Sequence, residues 1–184
     1  NTEVTPAMVA EAKPDAVIVA TGSNPLVLPI PGINDTGVIH AGDLLDGKAS
    51  VGKKVLVVGG GMVGCEVADF LGELGHEVSV IELRDQLGPD VIPEHRKFLM
   101  KDFEAYKVQG VTGAKVAQFF TDGVSYTLAD GTEGRLEGFD NVVLAMGYRN
   151  NDTISEEIKK IVAETYVIGD AVKARKALDA TAEG

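Results

Sequence analysis

Three glycines between a predicted strand and a predicted helix form the pattern with the clearest chemical meaning. Gly59, Gly61 and Gly64 follow the apolar run 55–58 in G-x-G-x-x-G spacing, and a helical pattern begins directly after Gly61. In a dinucleotide site, the first glycine allows a tight turn, the second lets backbone approach a pyrophosphate, and the third lets the helix lie close to the strand. Free N–H groups at the helix N terminus then bind the phosphates. The spacing therefore predicts a dinucleotide site.

An acidic residue at the end of the next predicted strand indicates which dinucleotide is bound. Glu82 ends the run 77–82 and lies 23 residues beyond Gly59. A carboxylate at this position accepts hydrogen bonds from ribose hydroxyls and repels the 2′-phosphate of NADP. Arg84 could instead accommodate that phosphate. The sequence predicts NADH, with NADPH as the second choice.

Two strands that end on glycine, far apart in the chain, share one pattern. An Asp, an apolar run and a glycine seven positions later occur at Asp15 to Gly22 and again at Asp140 to Gly147. A third apolar strand ends in Gly169–Asp170, where the Asp could bond a ribityl or ribose hydroxyl. Together these patterns predict one nucleotide domain inserted between two pieces of another.

The elements that would position these residues alternate between short apolar strands and helices. The runs 16–20 and 55–58 are typical of strands buried on both faces of a parallel sheet. Helices are predicted over 62–74 and from 93 to about 107. From residue 115, alternation and two Asp-Gly steps predict an antiparallel hairpin. The predicted fold class is α/β, Rossmann-like, with a parallel sheet, helices on both faces and an antiparallel hairpin insert.

Two further segments carry specific expectations. The helix from residue 93 would bury a stripe made of Phe98, Leu99, Phe103 and Tyr106. The segment 24–37 contains three prolines and a Pro-Gly step, which predict a connector without regular structure.

Composition excludes several classes of partner and site. The 184 residues carry a formal net charge of −11 and no basic cluster, which argues against nucleic acid and anionic membranes. Cys65 is the only cysteine, so the chain has no internal disulfide, as expected of a cytoplasmic protein. His40, His76 and His95 are scattered, and no metal site is predicted. No apolar run approaches the length of a membrane span.

The quoted motifs as a set resemble a known family. Four segments are similar to flavoproteins with two dinucleotide-binding domains: VIVATG, GGGMVGCEVADFLGELGHEVSVIE, VVLAMGYRNN and YVIGDAVKARKALDATAEG. In that family an NAD(P)-binding domain is inserted in an FAD-binding domain. The C-terminal segment is most similar to the multidomain NADH:flavin oxidoreductases related to old yellow enzyme, which include 2-enoate reductases, 2,4-dienoyl-CoA reductase and trimethylamine dehydrogenase.

The resemblance implies a set of cofactor-binding residues and no catalytic acid, base or nucleophile. NADH would be held by Gly59, Gly61, Met62, Val63, Gly64, Glu66, Glu82, Leu83, Arg84 and Gly147. FAD would lie beside Thr21, Gly22, Gly169 and Asp170. Glu66 would sit near the nicotinamide, although an ordinary solvated acid explains it equally well.

The resemblance also implies a division of the chain and the domains that would complete it. Residues 1–45 would be a partial segment of the FAD-binding domain with a linker, 46–150 would be the NAD(P)-binding domain, and 151–184 would return to the FAD-binding domain. The first FAD glycine motif, an FMN-carrying barrel and an iron–sulfur cluster would belong to missing domains of the parent chain. The fragment alone would be inactive, and a homo-oligomer of the parent is left open.

Three functions are consistent with the sequence. The first is NADH binding for hydride transfer to FAD, with electrons passed on to an unsaturated substrate. The second is a fragment of a disulfide-type pyridine nucleotide reductase, whose paired cysteines would lie outside this chain. The third is a non-catalytic NAD-sensing domain.

Overall fold

The computed structural model describes residues 2–34 and 37–184 of the chain. The helices are α1 (Pro6–Ala12), α2 (Ala41–Leu45), α3 (Met62–Glu73), α4 (Pro93–Tyr106), α5 (Ser155–Ile158) and α6 (Ala177–Glu183). The strands are β1 (Ala16–Val19), β2 (Ser23–Pro25), β3 (Ile39–His40), β4 (Lys54–Val58), β5 (Glu77–Ile81), β6 (Gln109–Val111), β7 (Ala114–Phe120), β8 (Gly123–Leu128), β9 (Glu133–Leu136), β10 (Asn141–Leu144), β11 (Tyr148–Asn150) and β12 (Glu164–Val167). They form two compact units: Val27–Gly147, and the two ends of the chain, Asn1–Leu26 with Tyr148–Gly184.

The unit Val27–Gly147 is built on a parallel sheet with the strand order β3-β10-β4-β5-β6. Alternate residues of each strand point to opposite faces of the sheet. On one face, Val55 and Val57 of β4 form a buried cluster with Val67 and Leu71 of α3. The predicted α/β fold class and the predicted central strands and helices are confirmed.

The second face of this sheet is covered differently from the prediction. Leu56 and Val58 of β4 pack against Phe119 and Val124, which belong to an antiparallel sheet β7-β8-β9. The expectation of helices on both faces is therefore wrong in this detail. The hairpin insert, which is confirmed, folds back with its apolar side chains on the sheet and covers the second face itself.

The segment before residue 46 contributes to the parallel sheet of this unit. Ile39–His40 pairs with β10, and Ile33 is buried in the same core as the antiparallel sheet. The Phe119 N–H also donates to the Pro31 carbonyl at 2.8 Å. The contact boundary thus lies at Leu26, and assignment of the segments to cofactor domains stays a prediction.

The predicted connector 24–37 and the predicted helical stripe are each partly wrong. Ser23–Pro25 forms a short strand that pairs with β11, while residues 35 and 36 lie outside the described part of the chain. In α4, Phe103 is buried but Phe98 is 65% exposed. Leu99 and Phe103 are four residues apart and share a helix face, whereas Phe98 lies about 100° away from Leu99.

The unit formed by the two chain ends has a smaller core. β1 pairs in parallel with β12, and Val9, Val19, Ile158 and Val162 form its buried cluster. The prediction that β1 is buried on both faces is wrong, because Ile18 is 66% exposed. The apolar run 16–20 therefore predicted the strand correctly, but it did not predict which of its residues are buried.

Candidate functional site

The predicted glycine loop forms the turn from β4 to α3. Gly59 has a φ of +106°, which favours glycine, and a Cβ there would lie 2.4 Å from the Ala145 carbonyl oxygen. A Cβ on Gly64 would lie 1.8 Å from the Gly59 carbonyl oxygen. The first and third glycines therefore have the conformational roles that their spacing predicts.

The N terminus of α3 offers N–H groups beside a position without a side chain. Gly61 is the N-cap residue, and Met62 and Val63 open the helix, half-buried. A Cβ on Gly61 would lie 3.1 Å from Arg84 Nη2 and 3.4 Å from Asp90 Oδ2. The Met62 N–H donates to Asp90 Oδ1 at 3.0 Å. Gly61 therefore lies beside the ends of two charged side chains, and the Met62 N–H at the start of α3 is engaged by one of them.

Glu82 is buried and binds the glycine loop directly. Its Oε2 accepts a hydrogen bond from the Gly60 N–H, and its Oε1 accepts from the Arg84 N–H at 2.8 Å and Nε at 3.0 Å. Burial alone would raise the pKa of this carboxyl, but the hydrogen bonds from Arg84 and Gly60 outweigh it and hold the pKa below its ordinary value. Both carboxylate oxygens are thus engaged, so a ribose would have to use their remaining lone pairs.

Other predicted nucleotide residues lie around the same sheet edge with different exposure. Arg84 bridges Glu82 and Asp90, with its Nη2 3.9 Å from Asp90 Oδ1. Leu83 and Glu66 are exposed, and Glu66 is the fifth residue of α3. The structure therefore brings the loop, the acid and the arginine together, and leaves Glu66 facing solvent.

Gly147 is placed by β10, the neighbour of β4 in the sheet. It has a φ of +94°, and a Cβ there would meet nothing within 4 Å. The backbone conformation, rather than lack of space, therefore favours glycine at this position.

The predicted flavin residues lie together in the other unit. Gly22, Gly169 and Asp170 line a cavity of about 480 Å³, which Arg175 and Lys176 also line. Arg175 forms an ion pair with Glu183, whose carboxylate also accepts a hydrogen bond from the Gly169 N–H at 2.7 Å, so both groups are engaged within the chain. Asp170 is itself engaged, since its carboxylate accepts hydrogen bonds from Ser23 Oγ at 3.0 Å and from the Arg175 N–H at 3.1 Å.

Asn151 is hydrogen-bonded to the segment after β1 that contains Thr21 and Gly22. The Thr21 hydroxyl donates to the Asn151 carbonyl, and the Asn151 N–H donates to the Gly22 carbonyl at 2.9 Å. The Asn151 side chain also donates to the Thr21 carbonyl at 3.3 Å. This residue was missed, although it lies in the motif VVLAMGYRNN.

Gly60 and Asp90 were also missed by the sequence reasoning. Gly60 lies between the first two glycines of the pattern and was given no role there, yet its N–H donates a hydrogen bond to Glu82. Asp90 follows a Gly-Pro step in the loop before α4, and only the folded chain brings it to α3. Its type and a turn signal were available in the sequence, but its distance to Met62 was not.

Cys65 is buried and its thiol contacts the glycine loop. Its thiol donates to the Gly60 carbonyl with Sγ 3.4 Å from the oxygen. Burial, with a smaller contribution from Asp90, raises the pKa of the thiol to about 11, so it is protonated at neutral pH.

Across residues 2–34 and 37–184, no group of three or more His, Cys, Asp or Glu could hold a metal ion. In the same residues, no helix combines the length and apolar character needed to cross a membrane.

Comparison with known proteins places this geometry among oxidoreductases. The family model for pyridine nucleotide-disulphide oxidoreductase matches residues 3–181. The chain is 36% identical over 186 residues to NADH oxidase of Thermoanaerobacter brockii, covering 96% of this chain and 28% of that protein. It is 30% identical over 162 residues to cinnamate reductase of Clostridium sporogenes, covering 86% of this chain and 24% of that protein.

A solved structure gives the same result for the fold. A complex of 2-naphthoyl-CoA reductase with 2-naphthoyl-CoA matches with a TM-score of 0.88 and 30% identity, over 100% of this chain and 28% of that one. The chain thus spans between 24% and 28% of the length of these three relatives. The resemblance to the C-terminal FAD- and NAD(P)-binding region of such reductases is confirmed. The chain therefore belongs to the pyridine nucleotide-disulphide oxidoreductase family.

Proposed function

We propose that this chain is the pyridine-nucleotide-binding part of a larger flavin-dependent oxidoreductase and that it binds NADH. The observation that carries the proposal is the β4–α3 turn, where Gly61 has no side chain beside the Met62 N–H and Glu82 accepts a hydrogen bond from the Gly60 N–H. The NADH-binding residues would be Gly59, Gly61, Met62, Val63, Gly64, Glu66, Glu82, Leu83, Arg84 and Gly147.

The chain's own residues would bind and orient the cofactors rather than take part in bond making. When bound, NADH would supply a hydride for FAD of the longer protein, whose electrons would then reduce an unsaturated substrate. Thr21, Gly22, Gly169 and Asp170 would face the FAD. The relatives named cinnamate reductase and 2-naphthoyl-CoA reductase support an unsaturated substrate for the parent enzyme.

The choice of NADH over NADPH would depend on the pair formed by Glu82 and Arg84. Glu82 is negatively charged at neutral pH and lies at the end of β5, where the adenosine ribose binds in this type of site. Arg84 neutralises part of that charge through its Nε contact at 3.0 Å. We therefore expect a preference for NADH that is smaller than that of a site with an unpaired acid.

The test is a calorimetric titration of the 184-residue chain with NADH and with NADPH, alongside the variant Gly61→Ala. A methyl group at position 61 meets only side-chain ends, so the variant should fold, yet the methyl group occupies the space proposed for a phosphate. We expect NADH to bind more tightly than NADPH, and Gly61→Ala to weaken NADH binding by about tenfold or more, the equivalent of about 1.4 kcal/mol.

The control is Gly184→Ala, at the last residue, which should bind as the unchanged chain does. Circular dichroism of each variant separates lost binding from lost folding. Absence of NADH and NADPH binding by the folded chain at millimolar concentration would refute the proposal.

A disulfide reductase is the second candidate, because the matching family includes that activity in its name. Its redox cysteines would have to come from the rest of the parent chain, since Cys65 is the only cysteine here and is buried. Thiol titration of the reduced and oxidised parent would distinguish the two: a disulfide reductase releases two additional thiols on reduction by NADH. A non-catalytic NAD sensor would bind NADH in a parent that contains no flavin.

A further inference from the structure

A carboxylate from a distant part of the sequence satisfies the N terminus of α3. The Met62 N–H donates to Asp90 Oδ1 at 3.0 Å, and Arg84 Nη2 lies 3.9 Å from the same oxygen. A Cβ on Gly61 would lie 3.4 and 3.6 Å from the two Asp90 carboxylate oxygens. One anionic group therefore lies beside a helix N–H, a cation and a backbone without a side chain, which is the environment that a bound phosphate requires.

The loop between β5 and α4 holds Asp90 at this position. The Gly88 N–H donates to the Gly60 carbonyl at 2.7 Å, so the loop is hydrogen-bonded to the glycine turn two residues before Asp90. Gly88 is buried and has a φ of +59°. The Asp90 side chain itself is 49% exposed, so it can leave the Met62 N–H by a change of rotamer while the loop backbone stays in place.

We propose that Asp90 occupies the position of a nucleotide phosphate in the free chain and that NADH binding replaces it at the Met62 N–H. The inference rests on the proposed function, because it takes Gly59–Gly64 as the nucleotide loop. A phosphate oxygen and the Asp90 carboxylate compete for one donor, and two like charges this close repel each other. Asp90 therefore stabilises the free loop, lowers its affinity for NADH and keeps Arg84 near the incoming phosphate.

The variant Asp90→Asn removes the charge and keeps an oxygen that can accept from Met62. We expect it to bind NADH about three- to tenfold more tightly than the unchanged chain, in line with the effect of one charge at a helix N terminus. The matched control is Asp85→Asn, which removes the same charge from an exposed position in the same loop. Its affinity should stay within about twofold of the unchanged chain, because exposed charges are screened by salt.

A second readout separates competition from a merely structural role. Without NADH, Asp90→Asn should have a lower Tm than the unchanged chain, since it loses the charge that favours the N terminus of α3 and Arg84. Lower stability together with tighter binding supports the proposal. Equal or weaker NADH binding by Asp90→Asn overturns it, and so does an equal gain in Asp85→Asn.

A measurement on the unchanged chain keeps the proposal testable if the variant does not fold. The ¹³C signal of the Asp90 carboxyl carbon should shift on saturation with NADH, whereas that of Asp85 should not. An unmoved Asp90 signal at saturation overturns the inference and leaves NADH binding intact. Failure of both the chain and Asp90→Asn to bind NADH overturns the proposed function and this inference together.

Discussion

At the residue scale, Glu82 has a larger structural role than its position in the motif indicates. A strand-end acid in a dinucleotide site is expected to face the ribose. Here the carboxylate is buried and accepts hydrogen bonds from Gly60 and twice from Arg84. It therefore orders the loop before any ligand binds, and it sets the orientation of the arginine beside the site.

Replacing Glu82 by Gln should destabilise the chain in a way that depends on pH. A Gln side chain has one oxygen, so the Gly60 N–H or the Arg84 donors would face an amide NH₂ group. We expect a loss of about 1–3 kcal/mol in the free energy of unfolding at pH 7, as for an unsatisfied buried donor. Urea denaturation of both proteins between pH 3 and 7 measures it.

The sign of the pH effect follows from the lowered pKa of Glu82 in the folded chain. As the pH falls, Glu82 is protonated first in the unfolded chain, at a pH of about 4.3. The stability that the charged carboxylate contributes to the folded chain is therefore lost as the pH falls through the lower folded pKa. The stability difference between the two proteins should therefore shrink towards the acid end of the range. Glu104→Gln, an exposed position on α4, is the control and should show no difference at any pH. A difference for Glu82→Gln that is constant with pH would contradict this account.

At the element scale, the site depends on how closely α3 approaches β4. Gly64 lies in the first turn of α3, against the carbonyl of Gly59. The positive φ of Gly59 turns the chain from the strand into the helix. The contact brings the N terminus of α3 to the carboxyl end of β4, and this placement gives the Met62 N–H its position beside the loop.

Substituting Gly64 by Ala should disrupt this contact. The new methyl carbon would lie 1.8 Å from a backbone oxygen, which cannot move without moving the turn. We expect a loss of about 1–3 kcal/mol or more in the free energy of unfolding, as for overpacked cores. Thermal and urea unfolding give the value.

Gly61→Ala is the matched comparison in the same loop, because its methyl group meets only side-chain ends. Its free energy of unfolding should fall by only about 1 kcal/mol, because Ala is a poorer N-cap than Gly but meets no backbone atom here. If the two variants were equally stable, the close approach of α3 and β4 would not be the reason for glycine at position 64.

At the scale of the whole molecule, the two units have cores of very different extent. The unit Val27–Gly147 buries both faces of its parallel sheet, one against helices and one against the antiparallel sheet. The unit formed by the chain ends has a small buried cluster, and Ile18 and Tyr166, which are paired across β1 and β12, are both exposed. We therefore expect the stability of the chain to be unevenly distributed.

Hydrogen exchange should show this difference directly. Amides of β4, β5 and β10 should exchange at least about tenfold more slowly than those of β1 and β12, because local opening costs less where fewer apolar groups are buried. Mass spectrometry of pepsin fragments resolves these strands. The amides of β7 and β8, which are exposed to solvent on one side but packed on the sheet, are the internal control and should resemble β4. Equal protection throughout would mean that both units unfold as one.

The sequence alone determined the α/β class, the central strands, the glycine turn and the hairpin insert. Each of these depends on local signals: apolar runs, glycine spacing and Asp-Gly steps act over a few residues. The family resemblance followed from the same motifs. Short apolar runs did not reveal burial, however, so Ile18 was expected inside although it lies at the surface.

Only the tertiary structure decided which groups meet at the candidate site. Asp90 is 28 residues from Met62 in sequence, and Asn151 is 130 residues from Thr21. Side chains and backbone groups this far apart are brought together by sheet order and loop packing, which no local pattern encodes. The engagement of Glu82 with Gly60 and the covering of the second face by a hairpin arose in the same way. Residue types and spacing predicted the chemistry of the loop, and the fold decided which charges lie beside it.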